Sequence, residues 1–545
     1  MRKSSSKKSK RLRKERHIQI SGARAPSGNR YIRTSKSSEV QYTPLEDWLG
    51  SGTIGAEKLI ARNFPAFAPD IRDMKAAVPE VTDFPDEPLI EHPGWNHGRF
   101  ALPNGRVFSA EEDDGSLAIF DIDAERCLTK GCSQDWYDAM KLLPDQHIAN
   151  FCLSLPYAAP LLTLIGRTEN FGFELMGGKG KGKSTLQQLA ASAAGPPSGP
   201  DSEIVPLHAT VVGIEQVMPS YADMLLNLEE ANLFAGGSVG SRRASELAHL
   251  TFMLSSGRLK RKFGQGVRNQ FRFIYLMSTN EALYGLVSTA GLGAGAEASH
   301  DRLLTIPIAD DRPFGVFDRL PEGFESSADL AHHLIAVVTR NHGWGLPSYL
   351  EFLVKQRDTR KRGLKDDIRR RVRQFVEEVG VNKNDGSGMR VAEAFGLVYA
   401  AGLIAQKAGV IPKTWNPLEA AINCYFLNRE YVRALPKPID LIRQLGGAEG
   451  VIPFREPLDI NDETFEQATG FMRRRKGKWE LLVTRKSFER IFGRRAPYLL
   501  ADPDVRDMMK IEKNHTAIKR KIRNSRDWDR VLCFSDKPWI WRRAV

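Results

Sequence analysis

A chain of 545 residues has room for about three or four domains. Its 41% hydrophobic and 27% charged content is that of a globular protein. No apolar run reaches the roughly 18 residues of a membrane span, and the N-terminus lacks the apolar centre of a secretory signal. The five cysteines, an odd number, argue against a disulfide framework and for a reducing, cytoplasmic setting. Cys127 and Cys132 stand close together without the second ligand pair that zinc needs. The net charge of +13 is uneven: residues 1–40 carry 13 Lys/Arg against Glu15 and Glu39, and residues 471–545 carry 22 against nine acids. An acidic body with two basic ends suits a polyanionic partner, because each Lys or Arg that meets a phosphate releases counterions.

Residues 1–45 are poor in apolar side chains and rich in Ser, Lys and Arg, the composition of a disordered basic tail. Residues 46–150 read as a small α+β domain. Within it, Arg99 to Phe108 forms a hairpin about Asn104-Gly105, Ser116 to Ile122 a strand, and Gln134 to Leu143 and His147 to Leu155 helices.

Residues 151–345 alternate apolar strand-like runs with helices, as in a parallel α/β sheet. The most specific feature lies here: Gly177-Gly178-Lys179-Gly180-Lys181-Gly182-Lys183-Ser184 fits G-x-x-x-x-G-K-S, between a strand at Phe171–Leu175 and a helix opening at Thr185. Glycines let successive backbone N–H groups face a phosphate, and the helix N-terminus adds partial positive charge. Lys183 would reach the β- and γ-phosphates of ATP, and the Ser184 hydroxyl would hold Mg²⁺. Farther on, Met224-Leu225-Leu226-Asn227-Leu228-Glu229-Glu230 is an apolar strand ending in two acids. Glu229 would stand beside the metal, and Glu230 would polarise the attacking water as general base. Phe271 to Asn280 is another buried-strand run closing in Ser278-Thr279-Asn280. Such a strand can insert between the other two and offer Asn280 or Thr279 to the γ-phosphate and water. Between the two runs, Arg258, Lys260, Arg261 and Lys262 crowd a Gly-bounded excursion suited to a hairpin that meets single-stranded DNA. After the Gly/Ala-rich stretch Gly291–Ser299, Arg302 opens a strand and is placed to act on a neighbouring subunit's γ-phosphate.

Residues 346–439 are helical by periodicity. Residues 440–545 form a basic module whose runs Trp479–Val483 and Val531–Phe534 suit a winged-helix-like or other small α/β unit.

Taken in order, these blocks resemble a family catalogued as domain of unknown function nine-two-seven. Its best-known members are the Cch-type helicases of mobile chromosome cassettes, relatives of the MCM helicases. The likeness runs from about His92 to Phe426. It includes His92-Pro93-Gly94-Trp95, Lys130-Gly131 with Trp136, Ala158-Ala159-Pro160, Thr210 with Glu215, and Gly257-Arg258 with Lys260-Arg261. Ser278-Thr279, Arg302 with Ile306-Pro307, Gly315-Val316-Phe317 and Asn341-His342-Gly343 complete it. The resemblance implies an AAA+-type P-loop ATPase core, hexameric rings and ATP-driven movement on DNA. Two departures stand out: the usual Asp-Glu pair is Glu229-Glu230, and Ser278-Thr279 is followed by Asn280-Glu281.

The sequence therefore leads to an α/β, AAA+-type P-loop ATPase with a small N-terminal α+β domain, a helical region and the basic C-terminal module. The expected activity is an ATP- and Mg²⁺-dependent DNA helicase or translocase, a cytoplasmic homo-hexamer without a membrane partner, acting on single- or double-stranded DNA in a mobile-element or phage-like replication system. The loop with its nucleotide contacts Gly177, Gly178, Lys179, Gly180, Lys181, Gly182, Lys183, Ser184 and Thr185 serves equally a DNA-bound ATPase switch of a defence or partition system that unwinds nothing.

Overall fold

The computed structural model describes residues 18–36, 38–49, 53–66, 68–111, 114–206, 211–229, 241–258, 270–280, 301–359, 361–435, 437–475, 477–493, 496–512, 515–525 and 528–536. Five parallel strands form its central sheet: β1 (Phe171–Met176), β2 (Ile204–Pro206), β3 (Leu225–Glu229), β4 (Ile274–Thr279) and β5 (Leu303–Pro307). They lie side by side in the order β2-β3-β4-β1-β5. β1, β3, β4 and β5 are the strands singled out in the sequence, β2 is an addition, and β4 does insert between β1 and β3.

Both faces of a sheet joined by helical crossovers must be covered. One face presents Phe173, Leu175, Leu276, Leu304 and Ile306. Helices α1 (His147–Ala158), α2 (Lys183–Ala191), α5 (Gly386–Lys407) and α6 (Pro417–Ala434) pack there, with Phe151, Phe173 and Phe395 meeting ring to ring at 4.9–5.3 Å. The other face, with Leu226, Leu228, Tyr275 and Met277, is covered by Ile214, Met218 and Tyr221 and by Leu250 and Leu254 of α3 (Ser241–Ser256). Helix α4 (Ser327–Arg340) packs beside α2. Among the described residues, α5 alone is long and apolar enough to cross a membrane, and it is mostly buried in this core.

The same cluster extends to Trp95, Phe100 and Phe108 and forward to Tyr425. The expected divisions at 150 and 345 therefore do not separate independent cores. The Arg99–Phe108 hairpin is present, with Phe100 opposite Phe108, whereas the expected Ser116–Ile122 strand shortens to Leu117–Ala118. Several blocks that carry the family resemblance meet as joints in this body. Lys130 and His342 exchange backbone hydrogen bonds of 3.0 Å, Asn341 Oδ1 accepts from Cys132 N at 2.8 Å, and Trp136 Nε1 donates to Ser192 Oγ at 2.9 Å. Buried Asp223 accepts from Trp95 N at 3.0 Å and from Thr163 Oγ1 at 2.5 Å.

Two expectations are corrected. The proposed tail of 1–45 is in part a sheet: Gln19–Arg24, Arg30–Lys36 and Glu39–Pro44 pair antiparallel. Ile32, Trp48, Leu59 and Phe64 pack on one of its faces, and Ala23, Tyr42 and Leu89 on the other. Averaging over 45 residues hid this alternation beneath the polar first third; residues 1–17 lie outside the description. The C-terminal module is not winged-helix-like. Strands β6 (Val451–Pro453), β7 (Gly470–Arg475), β8 (Lys478–Thr484), β9 (Ala517–Arg520) and β10 (Asp529–Asp536) form one mixed sheet in the order β6-β7-β8-β10-β9. It has separate apolar cores on its two faces. Alternation in β8, with Leu481 and Val483 on one side and Leu482 on the other, requires two covered faces and accounts for the difference.

Candidate nucleotide site

The glycine loop leaves the C-terminal end of β1 and enters α2 at Lys183. Gly182 caps α2 in the left-handed region (φ +85°), and a Cβ there would stand 2.8 Å from Val316 Cγ2. Glycine is thus required twice at this position, by backbone and by space. Lys183 is buried, and its Nζ donates to the carbonyl oxygens of Gly177 (2.6 Å) and Gly178 (2.7 Å), with Asn280 Oδ1 at 3.4 Å. Burial lowers its pKa. The ammonium thus rests on the loop's own carbonyls, at the place where phosphate oxygens would compete for it.

β3 and β4 bring their ends to the same edge. Thr279 pairs with Met176, and Gly177 N donates to the Thr279 carbonyl at 3.2 Å, so Asn280 stands beside the loop. β3 is locked to α2 by a buried amide clamp. Gln187 Nε2 donates to Asn227 Oδ1 and to the Leu228 carbonyl, and Asn227 Nδ2 donates to the Gln187 carbonyl, each at 2.8 Å. Glu229, half-buried, ends β3, and Ser184 is exposed in the first turn of α2. A hydroxyl and a carboxylate are hard oxygen donors, the set Mg²⁺ takes alongside nucleotide phosphates and water. Among the described residues no group of three His, Cys, Asp or Glu forms a metal cluster of its own. The general base assigned in the sequence, Glu230, lies outside the described residues.

Sequence reasoning gave no role to two features. Glu174, fully buried just ahead of the loop, accepts from Thr279 Oγ1 (2.8 Å) and Thr305 Oγ1 (2.7 Å), tying β1 to both neighbouring strands. The segment after β5 folds back over the loop: Val316 N donates to the Lys181 carbonyl (2.9 Å), and Lys181 Nζ to the Asp310 carbonyl (2.6 Å). The Gly315-Val316-Phe317 block was the available signal. Together the loop, Ser278–Asn280, Phe314, Phe317 and the α4 residues Ala328, Ala331, His332 and Ile335 enclose a cleft of about 660 Å³.

Arg302 lies at the other end of the sheet. Leu303 pairs with Gly172 and Pro307 with Met176, which puts Arg302 roughly 17–20 Å from the loop along the strand. Its guanidinium meets Glu169 at 3.3 Å, while Asp301 pairs with Arg390 at 2.5 Å and with Ser387. Arg258, bridged to Gln270, lines a second cleft with Arg302 and Glu169. Lys260, Arg261, Lys262 and the 291–299 loop lie outside the described residues. One chain therefore brings Lys183, Ser184, Glu229 and Asn280 to one edge and keeps Arg302 and Arg258 at the opposite one.

A phosphate loop, an acid strand and a polar-ended strand inserted between them define a P-loop fold of the additional-strand kind. Residues 31–262 match the family model described as "Domain of unknown function (DUF927)". A solved structure titled "SCCmec type IV Cch - active helicase" shares its fold, with a TM-score of 0.60 at 15% identity, covering 96% of this chain and 93% of that one. The apo C-terminal region of NrS-1 also aligns, at 12% identity over 74% of this chain and 90% of that one, but its TM-score of 0.23 carries no argument. No curated protein matches the sequence significantly.

Proposed function

We propose that this protein is an AAA+-type ATPase that drives DNA unwinding or translocation as a homo-hexameric ring, in the replication of a mobile element or phage. One observation carries the reading. β4 lies between β1 and β3, and Asn280 stands within reach of Lys183 at the edge where β3 ends in Glu229, where a γ-phosphate and its attacking water would meet. The loop's N–H groups and the α2 N-terminus hold phosphate oxygens, and Lys183 leaves its two carbonyls for the β- and γ-oxygens. Ser184 and Glu229 would hold Mg²⁺, which offsets charge on the transferred group. Glu230 takes the proton of the attacking water. The apolar wall of Phe314, Ala331 and Ile335 suits the base. Arg302, too far from its own loop, completes the site of the next subunit.

The test is ATP hydrolysis with and without single-stranded DNA across a salt series, combined with forked-duplex unwinding. Lys183→Ala should abolish turnover, while Glu230→Gln should bind ATP and not hydrolyse it. Normal hydrolysis by Glu230→Gln refutes the general-base assignment. DNA-stimulated hydrolysis without unwinding favours the switch over the motor.

A further inference from the structure

In the C-terminal module many of the described basic side chains have a structural partner. Arg473 and Lys510 pair with buried Glu480, Arg520 with Glu512, Arg523 with Asp529 and Asp462, and Lys486 with Glu466. Arg490 donates to the carbonyls of Glu466 and Gln467. Apart from the isolated Arg455 and Arg506, the cations without a charged or carbonyl partner among the described residues fall in two places. At the tip of the β7–β8 hairpin, Arg475 stands directly opposite Lys478, with Arg474 beside them opposite Trp479. At the outer edge of the sheet, Lys519 stands opposite Arg530. All five cations are exposed, and none has a charged partner among the described residues. Like charges facing each other across two strands destabilise a sheet. Two such pairs in one small sheet are an unfavourable arrangement that a bound polyanion would relieve.

The shape of the hairpin selects the polyanion. β6 pairs with β7 only from Gly470 to Met472, so on that side the hairpin and its turn at Gly477 (φ +77°) project beyond the neighbouring strand. Strand alternation puts Arg474 on one face of this ribbon and Arg475 and Lys478 on the other. A flat anionic surface would meet only one face. The groove of a nucleic-acid duplex has phosphates on both walls, and its major groove admits a two-stranded ribbon. From the register, the Lys519/Arg530 pair lies roughly 20–25 Å along the sheet from the tip, a reach of six or seven phosphates.

From this arrangement we infer that the C-terminal module is a duplex-binding unit, whose β7–β8 hairpin enters a groove with Arg474, Arg475 and Lys478 on the phosphates while Lys519 and Arg530 hold the backbone farther along. The contacts are to phosphate, so binding is independent of sequence and needs no ATP. The inference is separate from the motor reading.

The test uses the full chain without nucleotide and a fluorescent duplex of about two helical turns, with anisotropy read across a salt series. Arg474→Ala/Arg475→Ala/Lys478→Ala should weaken binding at least about tenfold and lower the log–log salt slope by roughly two to three, near one per lost phosphate contact. Arg474→Lys/Arg475→Lys, which keeps the charge, should restore most of both, and Lys519→Ala/Arg530→Ala should lower the slope by roughly one to two. Affinity and slope unchanged in the triple variant overturn the inference. So does an equal loss on vesicles of anionic lipid or on single-stranded DNA, since either would mean charge without groove recognition. DNA-free ATP hydrolysis, measured alongside, should not change. A chain that hydrolyses no ATP yet binds duplex through the tip leaves this inference standing and removes the motor reading.

Discussion

Asn227→Ala tests whether the acid strand is positioned by the amide clamp. Asn227 makes two of the three hydrogen bonds that join β3 to α2, and its side chain and that of Gln187 are buried. Each lost bond is worth about 0.5–1.5 kcal/mol net, and a buried polar partner left unsatisfied adds about 1–3 kcal/mol. Gln187 Nε2 keeps the Leu228 carbonyl, so the expected cost is in the lower part of the summed range, about 2–4 kcal/mol. Local opening reports this without assuming that a long chain unfolds in one step. Amide hydrogen exchange in α2 and β3 should accelerate by about 30- to 700-fold, at 1.4 kcal/mol per decade, while the C-terminal sheet stays unchanged. With the Glu229 end of β3 no longer held to α2, the Mg²⁺ concentration for half-maximal ATP hydrolysis should rise. Exchange accelerated less than about fivefold, or an unaltered Mg²⁺ dependence, would refute the clamp's positioning role.

Three further outcomes are expected. Gly182→Ala places a side chain in left-handed backbone, at about 1–2 kcal/mol, and against Val316, so equilibrium binding should show ATP affinity reduced by at least about tenfold in an otherwise folded protein. Doping wild-type assemblies with Arg302→Ala should depress ATP hydrolysis below proportion; strictly proportional activity counts against action on a neighbour. Arg126→Met strands the buried Glu203 carboxylate, which Arg126 meets at 2.5 Å, and should destabilise by about 3–5 kcal/mol, with Arg126→Met/Glu203→Leu recovering most of the loss in thermal melts.

Much of the nucleotide edge was legible because its signals are local. The glycine loop, the run ending at Glu229 and the run ending at Asn280 each carry their chemistry at one strand end, and strand order followed from the chemistry each end must supply. What joins these ends was not legible. Gln187 and Asn227 are separated by 40 residues, Glu174 and Thr305 by 131, and Trp95 and Asp223 by 128, so no spacing rule reaches them. That one apolar cluster crosses the expected domain divisions was not legible for a related reason: α5 is apolar on nearly all sides, and periodicity cannot tell the centre of a separate helical domain from a helix laid across a distant sheet. In the N-terminal sheet, short strands of mixed polarity were outweighed by the charge of the residues before them. The C-terminal sheet was under-counted because β6 and β9 contribute only three and four residues each.

The cover supplied by α5 and α6 has a consequence for synthesis. β5 ends at Pro307, whereas the helices that roof its sheet begin at Gly386 and finish at Ala434. At about 5–20 residues per second the ribosome needs several seconds or more to deliver them. For that interval the emerging polypeptide has its glycine loop, but only α1 and α2 of the four helices that cover Phe173, Leu276 and Ile306. A nascent chain stalled there would be a strong client for chaperones.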